Sequence, residues 1–278
     1  MRSRILIVAL VLLGVVAEAQ FRGRGGRRGV DRGDTPTWEV HPRFKDDVFT
    51  FVRVEFNSGG GGRGFGGGWM VDYPNADLNF SWRLHQLTSM EVQPEATSMP
   101  LTDPRLPDFP FLFMIDPRRI DLDDEEARAL GRYLLNGGFL LVDDFWGNQM
   151  WNHIHAEMQK VFPGREPRSV TPEHDMYRIV FPLTGPPQVP SEDSAHRTMN
   201  APDPYRTWED EISWEPPQPA DYRGYFDDKG RLMMLVCLNT DLSDGWEEEG
   251  VSPWFFENFS EKSSYPMGIN ILTYVMTH

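Results

Sequence analysis

Residues 109–144 constrain the fold of this chain more than any other stretch. The run FPFLFMI, Phe109–Ile115, is almost wholly apolar, as a strand buried on both faces must be. Asp123 and Glu126 then form the D-x-x-E signature of a helix start. Asp124 and Glu125 add negative charge at the positive end of the helix dipole. Ala127, Leu130, Leu134 and Leu135 supply the apolar stripe, and Asn136-Gly137-Gly138 ends the helix with residues that accept positive φ. Phe139–Val142 is a second buried strand. Two buried strands bracketing one helix make a βαβ unit, whose strands run parallel because the helix carries the chain back to the same end of the sheet.

Further elements extend this unit. Phe49–Phe56, FTFVRVEF, reads as an apolar strand, and Asn75–Thr88 as an amphipathic helix capped by Asn75 or Asp77. Trp151, Ile154, Met158 and Val161 share one face of a helix from Asn148 to Phe162, which Pro163-Gly164 ends. Leu232–Leu238, LMMLVCL, is another buried strand, and Met267–Met276 a final helix. Residues 165–230 are proline-rich with weak periodicity and read as an irregular insertion. The expected fold is a single α/β domain over 45–278. It is a three-layer sandwich with a mostly parallel open sheet of five or six strands.

The N-terminus predicts export. Arg2 and Arg4 precede the apolar run Ile5–Val16, and Ala17-Glu18-Ala19 is a small-x-small cleavage signal, so residues 1–19 read as a signal peptide. Residues 20–44, with five arginines among glycines between Gln20 and Asp34, read as a disordered linker rather than an RNA-binding tract. The expected location is periplasmic or secreted, with a mature chain that spans no membrane. The chain carries a net charge of −15; without seven arginines and three acids of residues 1–34 the remainder stands near −19. An acidic surface repels phosphate backbones, which argues against a nucleic-acid partner.

The sequence offers little conventional chemistry. Gly62–Gly67 formally matches G-x-G-x-x-G, but Pro74 delays any helix and no P-loop Lys-Ser or Lys-Thr follows. The lone cysteine, Cys237, lies inside an apolar strand and reads as an inert core residue. His153 and His155 point apart on a helix, and His153 and Glu157 read as part of a solvated face. No H-x-x-x-H or G-x-S-x-G pattern occurs.

The pattern Leu122-x-x-Glu125-Glu126-x-x-x-Leu130, followed by Tyr133-Leu134 and Gly137–Asp144, resembles the helix and following strand of the class I glutamine amidotransferase-like fold. Phe51–Phe56, Trp69–Asp72, Asp77–Phe80, Pro110–Ile115, Gly137–Asp144 and Gly268–Asn270 together resemble the bacterial family called domain of unknown function 4159. That resemblance implies a flavodoxin-like sandwich and brings no established reaction. True amidotransferases place a cysteine on a glycine elbow beside a His-Glu pair; Cys237 has neither.

Acids stand where strands end: Asp116, Asp143 with Asp144, Asp241, and Asp72 after Trp69-Met70-Val71. In open α/β sheets ligands bind outside the carboxyl ends of the strands. Clustered carboxylates suit Mg²⁺ or Ca²⁺, sugar hydroxyls or acid–base work; equally, each acid can cap a helix or tie down a loop. Of Asp143 and Asp144, one is expected to anchor the loop and the other to face the cleft. Phe145-Trp146-Gly147 adds exposed aromatics that suit sugar stacking. The leading expectation is a non-catalytic binding or interaction domain that needs no cofactor, with a cell-envelope protein or glycan as partner. The alternative is a carboxylate- or metal-dependent hydrolase of carbohydrate or envelope polymer.

Overall fold

The computed structural model describes residues 33–45, 47–57, 68–200 and 218–278. The signal peptide, the arginine-rich tract up to residue 32 and the glycine motif Gly62–Gly67 lie outside them. So does the stretch 201–217 of the insertion.

Seven strands form one sheet: β1 (Val52–Glu55), β2 (Thr97–Pro100), β3 (Phe111–Ile115), β4 (Phe139–Phe145), β5 (Arg168–Ser169), β6 (Asp221–Phe226) and β7 (Leu232–Leu238), in the order β2-β1-β3-β4-β7-β6-β5. The five strands from β2 to β7 are parallel, and β6 runs antiparallel to both β7 and β5. The predicted βαβ unit is present, with β3 and β4 paired from Phe111–Phe139 to Ile115–Asp143.

Helices cover both faces, so the molecule has three layers. Helices α1 (Asn75–Leu87) and α6 (Tyr265–Thr277) pack Phe80, Leu84, Met267 and Ile269 on one face of the sheet, against Phe51, Phe113, Leu141 and Cys237. Helices α2 (Asp124–Leu135) and α3 (Gly147–Val161) cover the other with Leu130, Leu134, Ile154 and Met158, against Val54, Leu112, Val142 and Val236. Alternate residues of each strand feed the two cores, which is why the central strands read as unbroken apolar runs. The Asp123–Glu126 capping box forms as the sequence predicts. Asp123 accepts from the backbone N–H groups of Glu125 and Glu126, and Glu126 accepts from that of Asp123 at 3.0 Å.

Several expectations change. The sheet has two strands more than the sequence pattern reveals at the low end, because β5 and β6 lie in the supposedly irregular insertion. In β6, DYRGYF, two charged residues and a glycine interrupt the aromatics, and pairing with β7 rather than apolar content makes it a strand. Helix α4 (Glu192–Thr198) also falls there, capped by Ser191. Neither Asn75 nor Asp77 caps α1: its N-cap is Pro74, and Asp77 is held by Arg53 instead. Glu157 is buried, accepting the Leu122 N–H at 2.8 Å and pairing with Lys160. His153 reaches the Ile120 carbonyl at 2.7 Å. Residues 33–44 fall within the segment expected as linker. Within it Trp38 donates to the Val92 carbonyl at 2.8 Å and stacks on His85, so packing begins before residue 45.

Cys237 is wholly buried in β7, and burial raises its thiol pKa well above the ordinary value. A thiol reagent is therefore expected to leave the native protein unlabelled and to react at once after urea unfolding. Stoichiometric labelling before unfolding would contradict this burial. Cys237→Ser is expected to destabilise by about 1–3 kcal/mol, since a buried hydroxyl needs a partner.

Candidate functional site at the carboxyl ends of the strands

The strand order makes a topological switch beside β1: the chain leaves β1 for β2 on one side, then returns to β3 on the other. Such points open a crevice at the carboxyl ends of the strands. Here a cavity of about 200 Å³ is lined by Asp72, Asp116, Asp144, Asp241 and Asp244, with Arg118, Ser191, Val71, Phe145, Trp146 and Met150. Five of the acids thus converge from four segments far apart in the chain.

Local backbone geometry aims them. Asp72, Asp116 and Asp144 all adopt the left-handed conformation, with φ of 58°, 44° and 55°. Aspartate tolerates this region better than most residues, yet it still carries strain that the surrounding structure has to overcome. At Asp144 the turn coincides with a register shift between β4 and β7 that falls between Val142 and Phe145. A bulge of this kind breaks the strand alternation and re-aims a side chain. Around Asp72 the constraint is Arg53. Its guanidinium, fully buried, pairs with Asp77 and donates to the carbonyls of Trp69 and Val71, fixing the chain just before Asp72.

The acids divide by what already holds them. Asp116 is committed to structure: Arg118 pairs with it and the Gly68 N–H donates to it at 2.6 Å. Asp143 is fully buried and outside the cavity lining; it accepts from the Ser243 N–H at 3.0 Å and anchors the loop after β7. Its Oδ1 is buried without a hydrogen-bond partner. Asp144, half-buried, faces the cavity, so the two neighbours divide the roles of anchor and lining. Asp241 accepts from the Asp244 N–H at 2.8 Å and from Ser243 Oγ at 2.9 Å, using Oδ1 alone. Asp244 accepts from the Glu192 N–H. Oδ2 of Asp72 is buried with no partner.

Crowding of like charges perturbs these groups. Burial first, then Asp241, Glu247, Asp244 and Asp144, hold the Asp72 carboxyl well above the usual carboxylate range. Burial likewise raises Asp144, with Asp241, Asp116 and Asp143 adding to it and Arg118 opposing. Asp241 and Asp244 are raised for the same reasons. Asp143 is pushed up to about 7, chiefly by burial, against the pull of its Ser243 hydrogen bonds. Arg118 is the one basic residue in the lining, and it is engaged with Asp116. The cleft therefore carries an excess of negative charge that protons or a cation must offset.

Asp72, Asp244 and Glu247 each offer an oxygen, and these oxygens lie within 4.8 Å of one another. Oxygens this close can share one hard divalent cation, since two oxygens on one Ca²⁺ at about 2.4 Å stand at most about 4.8 Å apart. The lining contains neither histidine nor cysteine, and an all-oxygen donor set selects hard cations. Asp244 and Glu247 were outside the sequence-derived candidates. They sit on the short helix α5 (Asp244–Glu247), and the signal for it was the Asp241–Asp244 spacing, in which the first acid caps the second.

Trp146 differs from its expectation. It is 4% exposed, and Phe145 1%, so neither offers an open stacking platform. The apolar bodies pack as the chain turns from β4 into α3. Trp146 still lines the cavity, and its indole N–H is buried without an acceptor.

A family model described as Domain of unknown function (DUF4159) matches residues 50–276. No curated protein matches the chain. No helix among the described residues is long and apolar enough to cross a membrane.

Proposed function

The chain belongs to the DUF4159 family, and from that footing we propose that it is an exported, non-catalytic binding domain whose acidic cleft holds a hard divalent cation such as Ca²⁺. The observation that carries this reading is the convergence of Asp72, Asp244 and Glu247 within 4.8 Å, with a buried Asp72 oxygen that has no other partner. Asp144 and the second oxygen of Asp241 line the same cavity and can extend the donor set. The signal-like N-terminus supports export, and the parallel sheet with its switch point supports an amidotransferase-like scaffold. Burial of Cys237 removes the one thiol nucleophile, which supports binding rather than acyl-transfer chemistry.

Thermal unfolding with and without millimolar Ca²⁺ tests the proposal. At a hundred times Kd, binding stabilises by about 2.7 kcal/mol, or roughly 5–10 °C for a domain of this size. Asp72→Asn is expected to abolish that increment while raising the melting temperature of the cation-free protein, because it removes one of the repelling charges. Asparagine also tolerates the left-handed backbone there. Asp124→Asn, on the exposed start of α2, is expected to leave the increment intact. No shift with Ca²⁺, Mg²⁺ or Mn²⁺ would overturn the proposal, and cation-dependent hydrolysis of a glycan would replace binding with catalysis.

A further inference from the structure

We propose, resting on the cation reading above, that Asn79 is a positioning residue for the cation site and that the segment around Thr35 tunes the affinity of the cleft by holding Asn79 in place. Two of the three converging donors, Asp244 and Glu247, ride on α5, a turn of four residues. One turn cannot hold its own shape in water, and its last carbonyls have no partner within the helix. Their partner is Asn79 of α1, 8% exposed, whose Nδ2 donates to the Trp246 carbonyl at 2.8 Å and to that of Glu247 at 3.3 Å. Asn79 thus grips the backbone of a donor residue while lying outside the cavity lining.

The third donor is tied to the same helix. Asp72 stands just before α1, where its carbonyl accepts from the Ala76 N–H at 3.0 Å. Helix α1 therefore fixes Asp72 at its start and, through Asn79, the end of α5. The seat of α5 on α1 sets the spacing of the three oxygens. One turn beyond Asn79, Arg83 pairs with Glu249, its Nε donating at 3.0 Å, and the Tyr265 hydroxyl donates to the same carboxylate. Against Ser264 there is no slack: a Cβ on Gly245 would stand 2.5 Å from the Cβ of that serine. A close-packed neighbour of this kind turns a lost hydrogen bond into a shift of the whole turn.

Carbonyls only accept hydrogen bonds, so the two contacts of Nδ2 fix which way the Asn79 amide faces. They turn Oδ1 to Thr35, whose hydroxyl donates to it. Thr35 belongs to the segment before the first strand. Trp38 fastens that segment to the domain by its hydrogen bond to the Val92 carbonyl and its stacking on His85, another residue of α1. The contacts run from Thr35 through Asn79 to Glu247 and the cation. With the segment seated, both ends of the buried amide are satisfied in one orientation. When it lifts, Oδ1 loses its donor and the amide its fixed seat. Linkage makes the effect reciprocal: whatever seats the segment tightens the cation, and the cation tightens the segment.

The experiment is calorimetric titration of the full chain with Ca²⁺, paired with amide hydrogen exchange over residues 34–40 with and without the ion. Thr35→Val keeps the shape and removes the hydroxyl. It is expected to weaken Ca²⁺ by about three- to tenfold, the worth of one hydrogen bond, whereas Thr35→Ser is expected to retain the wild-type affinity. Asn79→Leu is expected to weaken Ca²⁺ by about tenfold or more; if that variant does not fold, Thr35→Val carries the test. In the wild type Ca²⁺ is expected to slow exchange over 34–40, and in Thr35→Val to leave it unchanged, a response that a residue serving stability alone would not give. Wild-type affinity in Thr35→Val or in folded Asn79→Leu overturns this inference and leaves the cation reading standing. So does equal weakening in Thr35→Val and Thr35→Ser, or wild-type exchange over 34–40 that ignores Ca²⁺. Absence of Ca²⁺ binding by the wild type removes both.

Discussion

Arg53→Met is expected to cost about 3–5 kcal/mol, a large part of the roughly 5–15 kcal/mol that holds a domain together. The reason is not the ion pair as such. Arg53 and Asp77 are both fully buried, so removing the guanidinium strands a carboxylate in the core. The carbonyl of Trp69, 3.1 Å from Nη1, and that of Val71 lose their donor at the same time. The guanidinium also sits over the rings of Phe113 and Tyr73, at 5.3 and 5.4 Å from their centroids, so packing is lost with the charge. Urea unfolding of the variant is the measurement. Arg53→Met/Asp77→Leu, which replaces both charges, is expected to recover only part of the loss, because the two carbonyls stay without a donor. Full recovery in the double variant would show that the loop before Asp72 does not depend on Arg53, and a loss under 1 kcal/mol would remove the role assigned to the pair.

Raising the pH from 4 to 8 is expected to destabilise the cation-free protein, against the trend of most acidic proteins. Asp72, Asp143, Asp144, Asp241 and Asp244 all have carboxyl pKa values raised by burial, with neighbouring acids adding to the shift at Asp72, Asp144, Asp241 and Asp244. Each binds its proton more tightly in the native state than in the unfolded chain. That contribution is complete below the unfolded value near 3.8 and is lost as pH rises through the folded one, about 7 for Asp143. Every such group contributes a slope of up to about 1.4 kcal/mol per pH unit within its window. Glu247 and Arg118 also face this cluster, and Arg118 opposes the rise at Asp144. Melting temperatures measured in EGTA across this range are therefore expected to fall with pH, and the increment from Ca²⁺ to grow, since the ion takes the place of the protons. Asp143→Asn is expected to flatten the decline. Stability that rises or stays level from pH 4 to 8 in EGTA would refute the proton-loaded cleft.

Much of this architecture was legible in the sequence for a simple reason. Strands buried on both faces have no polar side to present, so Phe111–Ile115 and Leu232–Leu238 announce themselves as apolar runs. The helix between β3 and β4 carries its own start and stop in Asp123, Glu126 and Asn136, which act through hydrogen bonds only a few residues long. Strand β6 was not legible. It lies beyond β7 toward the edge of the sheet, and its strand character comes from the partner it pairs with, which local composition does not encode.

The acids divide along the same line. The sequence alone determined that Asp72, Asp116, Asp144 and Asp241 follow β-strands or strand-like runs, because a parallel sheet collects its strand ends on one side. Only the tertiary structure decided which of them remain available. Asp116 is consumed by Arg118 and Gly68, Asp143 is held outside the lining by Ser243, and Asp244 and Glu247 arrive on a helical turn one loop further on. The left-handed backbone at Asp72 and Asp144 is likewise imposed from outside, at Asp144 by a shift in register against β7 and at Asp72 by a guanidinium from β1. A residue's neighbours along the chain fix its propensity. Its hydrogen-bond partners, and hence its freedom to bind anything else, are fixed by groups tens of residues away that only the closed fold brings within reach.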